Sequence, residues 1–204
     1  MSVSLKKGQK VNLSKENVSL TKIIAALGWD EVGKSPTKKG FWASLFSIAI
    51  PPISIDCDAS ALLLQNGRLM ARRDIVYYGN LKHRSGAVRH MGDNLTGAGD
   101  GDNEQIIIEL NKLPAEYDKI VIVVNIFNAK TKKQHFGMIR NAYIRLINAS
   151  NNREICKYDL NEDYTNMTAM IFGEVTRQDG EWRFNAIGQG TTDGNLTELS
   201  RRFE

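Results

Sequence analysis

The sequence predicts an all-β fold, a β-sandwich of two mainly antiparallel sheets with little helix. Most apolar segments are four to nine residues long and are separated by turn residues, whereas the 3.6-residue period of amphipathic helices is scarce. Two dipeptides that tolerate positive φ, Asn66-Gly67 and Asp179-Gly180, stand between such segments. A chain of 204 residues with 42% hydrophobic residues can bury one sizeable core, so one domain spanning residues 1–204 is expected.

The two dipeptides predict the clearest hairpins. Residues 61–64 and 68–71 flank the Asn-Gly pair, and residues 168–176 and 181–187 flank the Asp-Gly pair. Each pair allows a two-residue turn whose twist matches that of the adjoining strands. Four strands are therefore expected from local turn chemistry.

The remaining strands supply the predicted core. Residues 106–110 and 119–127 are β-branched runs, and the continuous apolar stretch 120–124 predicts a strand buried on both faces. Alternation along two later strands predicts two apolar faces, formed by Ala142, Ile144 and Leu146 and by Trp182, Phe184 and Ala186.

Three segments depart from this pattern. Residues 129–137 predict either a short helix or a crossover loop, and the chain after about residue 190 predicts a short frayed tail. The third segment is an apolar insertion at about residues 34–52.

The charge distribution and the cysteines limit which partners and which compartment are expected. Residues 1–40 carry eight Lys and three acids, so the remaining chain has a net charge of −1 within the total of +4. A solvated basic surface is favoured over a dedicated anionic partner. Cys57 and Cys156 lie in apolar, strand-like patterns and are expected as free core thiols, with a single disulfide as the alternative. A cytoplasmic location fits best, and no apolar run approaches the roughly 20 residues of a membrane-spanning helix.

An acidic, glycine-rich segment carries the strongest functional signal. Residues 92–104 hold four carboxylates, four glycines and no cation among thirteen residues. Calcium takes six to eight oxygens from carboxylates, amides, hydroxyls and backbone carbonyls, and glycine allows the backbone to turn those carbonyls inward. A solvated turn is the competing interpretation, since Gly, Asp and Asn dominate turns.

A second acidic pair precedes this segment. In a strand, Asp56 and Asp58 lie on one face, roughly 7 Å apart along the chain. Because like charges repel and Asp is a poor strand former, the pair predicts a shared cation site or two adjacent sites. An EF-hand is excluded, since Leu95 and Ala98 occupy positions that require an oxygen ligand and a glycine.

These segments, with others, resemble the signatures of the TerD family in order over nearly the whole chain. The matching residues are Gly28-Trp29-Asp30, residues 56–60, 92–97 and 101–104, Phe136, residues 141–146 and 169–174, Trp182-Arg183-Phe184 and Gly188-Gln189-Gly190.

The resemblance implies a β-sandwich that binds one or two calcium ions, in non-enzymatic proteins linked to tellurite resistance and stress. It implies partners among other stress-response proteins, including homologous TerD-type chains. By matching positions, it implies side-chain and carbonyl ligands at Asp56, Asp58, Asp93, Asn94, Thr96, Gly97, Gly99, Asp102 and Glu104, with Asp100 as an additional candidate. The family has Asp where this chain has Asn103, and a neutral ligand there predicts weaker binding at any site that uses it.

The insertion is the largest departure from the family. Its aromatic and apolar residues follow a Lys-bearing approach, a pattern typical of peripheral membrane contact; the residues concerned are Phe41, Trp42, Leu45 and Phe46. An extra flap over the core or a dimer contact is the competing interpretation, and it is favoured.

Other function classes have weaker support. His83, His90 and His135 are too scattered for zinc, and neither cysteine has CxxC spacing. The basic run 82–90 allows a nucleotide-binding module or charge balance within the molecule, and nucleic-acid binding is not expected because the run has no interleaved aromatics. A hydrolytic enzyme using loop-bound metal to activate water is the remaining alternative.

Overall fold

The computed structural model describes residues 2–16, 20–31, 55–93 and 101–204. The apolar insertion, with the predicted membrane-contact residues, lies outside these ranges. The described strands are β1 Val3–Leu5, β2 Lys10–Asn12, β3 Lys22–Glu31, β4 Cys57–Leu64, β5 Ile75–Val76, β6 Val88–Asp93, β7 Glu104–Glu109, β8 Lys119–Ile126, β9 Ile139–Asn148, β10 Arg153–Asp159, β11 Ala169–Gln178 and β12 Glu181–Thr191. The helices are short: α1 Leu13–Glu16, α2 Ala129–Lys132 and α3 Leu196–Ser200.

Two six-stranded sheets pack face to face, which confirms the predicted all-β sandwich. The first sheet has the order β1-β10-β9-β3-β7-β6, and the second has the order β2-β12-β11-β8-β4-β5. The pairs are antiparallel apart from β1, which runs parallel to β10 at the edge of the first sheet. One edge strand of the first sheet, β1, is therefore far in sequence from its partner β10.

Turn chemistry predicted the second hairpin correctly and the first only in part. Asp179 and Gly180 have φ of 52° and 77° and connect β11 to β12. Asn66 and Gly67 form the same kind of turn, with φ of 51° and 76°. The predicted strand 68–71 is wrong, however, because the Leu69 N–H donates to the carbonyl of Phe203 at 2.6 Å rather than to the sheet.

The core lies between the sheets, and a second apolar layer covers the outside of the second sheet. Strand β8 is buried on both faces as predicted: Ile120, Ile122 and Val124 belong to the central core, whereas Val121 and Val123 belong to the outer cluster. The predicted apolar faces on β9 and β12 also belong to the central core.

The outer cluster is covered by the C-terminal segment, so the prediction of a frayed tail is wrong. Helix α3 and a 3₁₀ turn at Arg201–Phe203 pack on the second sheet, and Leu199 is completely buried. Asn195 caps α3 by accepting a hydrogen bond from the Glu198 N–H at 2.9 Å. Non-local packing thus orders a segment whose glycines suggested disorder.

The remaining expectations concern the crossover and the cysteines. The segment after β8 contains both a short helix, α2, and a loop that leads to a 3₁₀ turn at Phe136–Met138. Cys57 and Cys156 are buried and form no disulfide with each other, and burial raises the pKa of the Cys156 thiol to about 12. Within the described ranges, no helix has the length and apolar character needed to cross a membrane.

Candidate metal centre

The acidic segments predicted to bind calcium start and end at one end of the sandwich. Strand β6 ends at Asp93, β7 begins at Glu104, and these two residues are cross-strand partners. The Glu104 carboxylate accepts a hydrogen bond from the Ala59 N–H, which joins the start of β7 to the start of β4. The chain around Asp56 and Asp58 therefore lies beside both ends of the glycine-rich segment.

Glu104 lies between the two sheets. Its side chain shares a face of β7 with Ile106 and Ile108 of the core, and the residue is 3% exposed. Glu104 Oε1 is 3.6 Å from His90 Nε2. His90 Nδ1 accepts a hydrogen bond from the Gly92 N–H at 2.9 Å, so the neutral ring carries its proton on Nε2, facing Glu104. The Ala59 N–H thus holds the carboxylate, and the His90 ring lies beside it.

Asp102 is held on the outer face of the first sheet. Arg145 donates through Nε to Oδ1 at 2.9 Å and through Nη2 to Oδ2 at 2.8 Å, and the Tyr143 hydroxyl donates to Oδ1 at 2.8 Å. Hydrogen bonding to Asp102 raises the pKa of Arg145, and burial together with the same carboxylate raises the pKa of Tyr143.

These contacts make Asp102 poorly suited to its predicted role as a metal ligand. Gln105 adds a fourth, longer hydrogen bond at 3.4 Å, and an ionised carboxylate has about four lone-pair sites. A cation would have to displace one of these donors. The geometry instead makes Asp102 the anion of a latch with Arg145 and Tyr143 that fixes the start of β7.

Asn103 hydrogen-bonds the backbone of β3. Its side-chain oxygen accepts from the Trp29 N–H at 2.8 Å, and its own N–H donates to the Leu27 carbonyl at 2.7 Å. These bonds extend the pairing of β3 with β7. The amide oxygen is already used, so its geometry gives no support to the expectation that Asn103 weakens a cation site as a ligand.

Asp56 and Asp58 occupy the start of β4 on the side away from the first sheet. Asp56 is exposed and precedes the strand, and Asp58 is half-buried. Asp58 shares its face with Leu62 and Leu64 of the outer cluster, whereas Ala59 and Ala61 point into the central core. The strand thus places the Asp58 and Glu104 side chains on opposite sides of β4.

The described residues do not by themselves assemble the ten predicted ligands. Across residues 2–16, 20–31, 55–93 and 101–204, no three His, Cys, Asp or Glu side chains come together as a metal-binding group. Asp93 is described through its backbone alone. The other predicted ligands, Asn94, Thr96, Gly97, Gly99 and Asp100, lie outside the described residues.

The basic run before the acidic segment is balanced within the molecule. Arg84 Nε is 3.8 Å from Asp74, and Arg89 Nη2 is 3.7 Å from Glu109. The Asp74 carboxylate is buried, and it also accepts from the Tyr117 hydroxyl at 2.9 Å. These contacts support the charge-balance interpretation of the run.

Sequence reasoning missed a Ser-His-Asp arrangement in this run, because Asp74 stands outside it. His83 Nδ1 is 2.7 Å from Ser85 Oγ, and His83 Nε2 is 3.3 Å from Asp74 Oδ1. The His83 side chain is completely buried, and Ser85 Oγ also accepts from the Ala87 N–H at 3.2 Å. The arrangement therefore braces a turn, and its histidine is closed to a substrate.

Comparisons with known proteins agree with this fold. The family model described as "TerD domain" matches residues 1–203. The chain is 45% identical to "Stress response protein SCP2" of Bacillus subtilis (strain 168), with 100% of each chain covered. It is 44% identical to "Tellurium resistance protein TerD" of Serratia marcescens, covering 95% of this chain and 93% of the relative.

A solved structure supports the fold. The crystal structure of a homologue of telluride resistance protein (TerD) from Streptomyces coelicolor A3(2) aligns with a TM-score of 0.61 at 18% identity, covering 91% of this chain and 99% of that chain. At this level of identity the likeness concerns the fold alone.

Proposed function

The chain belongs to the TerD family of tellurium-resistance and stress-response proteins, and from that membership we propose that it is a calcium-binding, non-enzymatic protein. In this proposal it works in the cytoplasm as a binding or adaptor module that engages other stress-response proteins. Calcium is held at the end of the sandwich where the acidic segments meet.

The observation that carries the proposal is the convergence of backbones at this end. Asp93 and Glu104 bracket the glycine-rich segment as cross-strand partners, and Glu104 hydrogen-bonds Ala59 beside Asp58. Segments rich in carboxylates that start or end together bring like charges near one another, and a cation or screening by water offsets the repulsion. Calcium suits such a place because it accepts six to eight oxygens in flexible geometry.

In this proposal one part of the site binds the ion and the other part positions the glycine-rich segment. Asp56, Asp58 and the residues of the glycine-rich segment supply oxygens to the ion. Asp102, held by Arg145 and Tyr143, anchors the start of β7, so that the segment leaves the sheet at a fixed point. A rigid anchor reduces the conformational entropy that the segment loses on binding.

Calorimetric titration of chelator-treated protein with calcium and with magnesium tests the proposal. We expect calcium to bind and magnesium to bind more weakly, because magnesium demands near-octahedral geometry and releases its waters reluctantly. The absence of calcium-dependent heat would reject the proposal. A preference for magnesium would favour the metal-dependent hydrolase instead.

A further inference from the structure

A small cavity lies on the outer face of the second sheet, beside Asp58. It has a volume of about 160 Å³ and is lined by the starts of β4 and α3 and by the end of β8. Asp58, Asn125 and Asn128 contribute oxygen-bearing side chains to its wall. Its volume is several times the roughly 30 Å³ that a water molecule occupies, so an ion with bound water fits.

Asn125 is the unusual member of this wall. It is 6% exposed, and its side-chain oxygen accepts no hydrogen bond within the part of the chain that the structure describes. Buried polar atoms are nearly always hydrogen-bonded, and an unsatisfied one destabilises the fold. A ligand that coordinates this oxygen would explain why an amide stands in an otherwise apolar strand.

Register brings Asn125 and Asp58 to the same place. They are cross-strand partners in the β4–β8 pair, and Asn125 shares the outer face of β8 with Val121 and Val123. Directly opposed residues have Cβ atoms about 4.5–5.5 Å apart. Both side-chain oxygens can therefore reach one ion at the roughly 2.3–2.6 Å of calcium coordination.

We propose that Asn125 is a cation ligand that shares with Asp58 an ion bound in this cavity. The inference rests on the proposed function, because it takes calcium as the ion. It adds a ligand from β8, a strand that the acidic motifs do not include, and it places this ligand beneath the C-terminal segment.

The charges around the cavity set the expected strength of binding. Among the described residues that line it, Asp58 supplies a carboxylate, and Arg72 supplies a positive charge that opposes a cation. Arg72 is exposed, so solvent and salt screen its charge. Asn195 is already used as the cap of α3. A site of low ligand charge binds calcium weakly, so Asn125 is expected to tune an affinity that Asp58 provides.

The substitution Asn125→Val separates ligation from a structural role. Valine removes the unsatisfied amide and favours a strand, so we expect the calcium-free variant to have a higher midpoint of thermal unfolding than the calcium-free wild type. We also expect its calcium affinity, measured by titration, to fall at least tenfold. A merely structural amide would not move stability and affinity in opposite directions.

A matched control and a second variant complete the experiment. Asn185 on β12 also has a buried side-chain oxygen without a hydrogen bond in the described residues, and Asn185→Val should leave calcium affinity unchanged. Asn125→Asp should raise calcium affinity, because it adds a second carboxylate, while lowering calcium-free stability through repulsion with Asp58.

The outcomes distinguish the inference from the proposed function. Wild-type binding that persists unchanged in both Asn125 variants would overturn the role of Asn125 and leave calcium binding intact. Failure of the wild type to bind calcium would overturn both. Loss of affinity in Asn125→Val with a gain in Asn125→Asp would support the inference.

Discussion

Asp102 shows how a residue's role depends on partners distant in sequence. Its side chain is 1% exposed and is held by Arg145, 43 residues further along the chain. An acidic motif indicates which side chains are rich in oxygen, but it cannot show that a guanidinium already occupies one of them. The predicted ligand set therefore included a residue whose contacts suit an anchor.

Replacement of Arg145 tests this anchor. Arg145→Met leaves the Asp102 carboxylate buried without its main counter-charge, and we expect a loss of roughly 3–5 kcal/mol in the free energy of unfolding. Arg153→Met, at an exposed position on β10, should change stability by less than about 0.5 kcal/mol. Denaturant unfolding measures both.

The double variant Arg145→Met with Asp102→Asn provides a further check. Neutralising Asp102 removes the uncompensated buried charge, so part of the lost stability should return. Equal stability for the Arg145 and Arg153 single variants would show that the latch contributes nothing.

Other residue-scale features were predictable because their causes are local. Alternation along β9 correctly predicted that Ala142, Ile144 and Leu146 face the core. Asn125 could not be predicted as a site residue, because it lies in an apolar run and its significance comes from Asp58 on the neighbouring strand. Register across a sheet is invisible in a single sequence.

At the scale of elements, the residues of a turn predicted its structure, whereas pairing between segments distant in sequence could not be predicted. The Asp179-Gly180 turn fixed the β11–β12 hairpin, since positive φ at two successive positions selects that connection. The strand predicted after Gly67 failed because Leu69 pairs with the C-terminal segment. The same pairing orders the region that the glycines predicted to be frayed.

The C-terminal segment is consequently part of the fold. We expect Leu199→Ala to lower the free energy of unfolding by roughly 2–5 kcal/mol, because it opens a cavity in the outer cluster. Thr197→Ala changes an exposed residue of the same helix and serves as the control. Thermal or denaturant unfolding of the two variants compares them, and a small, equal effect would mean that α3 is only loosely attached.

At the scale of the whole molecule, the sandwich brings together segments that the sequence separates. Composition and periodicity predicted two antiparallel-rich sheets, because strand length and turn spacing are local properties. They could not predict that β1 pairs in parallel with β10, or that the starts of β4 and β7 meet through Glu104 and Ala59. The convergence that underlies the proposed site is a property of topology.

Calcium-dependent thermal unfolding of the Asp56→Ala, Asp58→Ala double variant tests the central claim most directly. An ion that binds only the folded state stabilises it by about 2.7 kcal/mol at a hundred times its dissociation constant. Calcium should therefore raise the unfolding midpoint of the wild type and of Glu116→Ala, an exposed acid near the opposite end of β8. The double variant should lose most of this rise, whereas a rise as large as that of the wild type would contradict calcium binding by these two carboxylates.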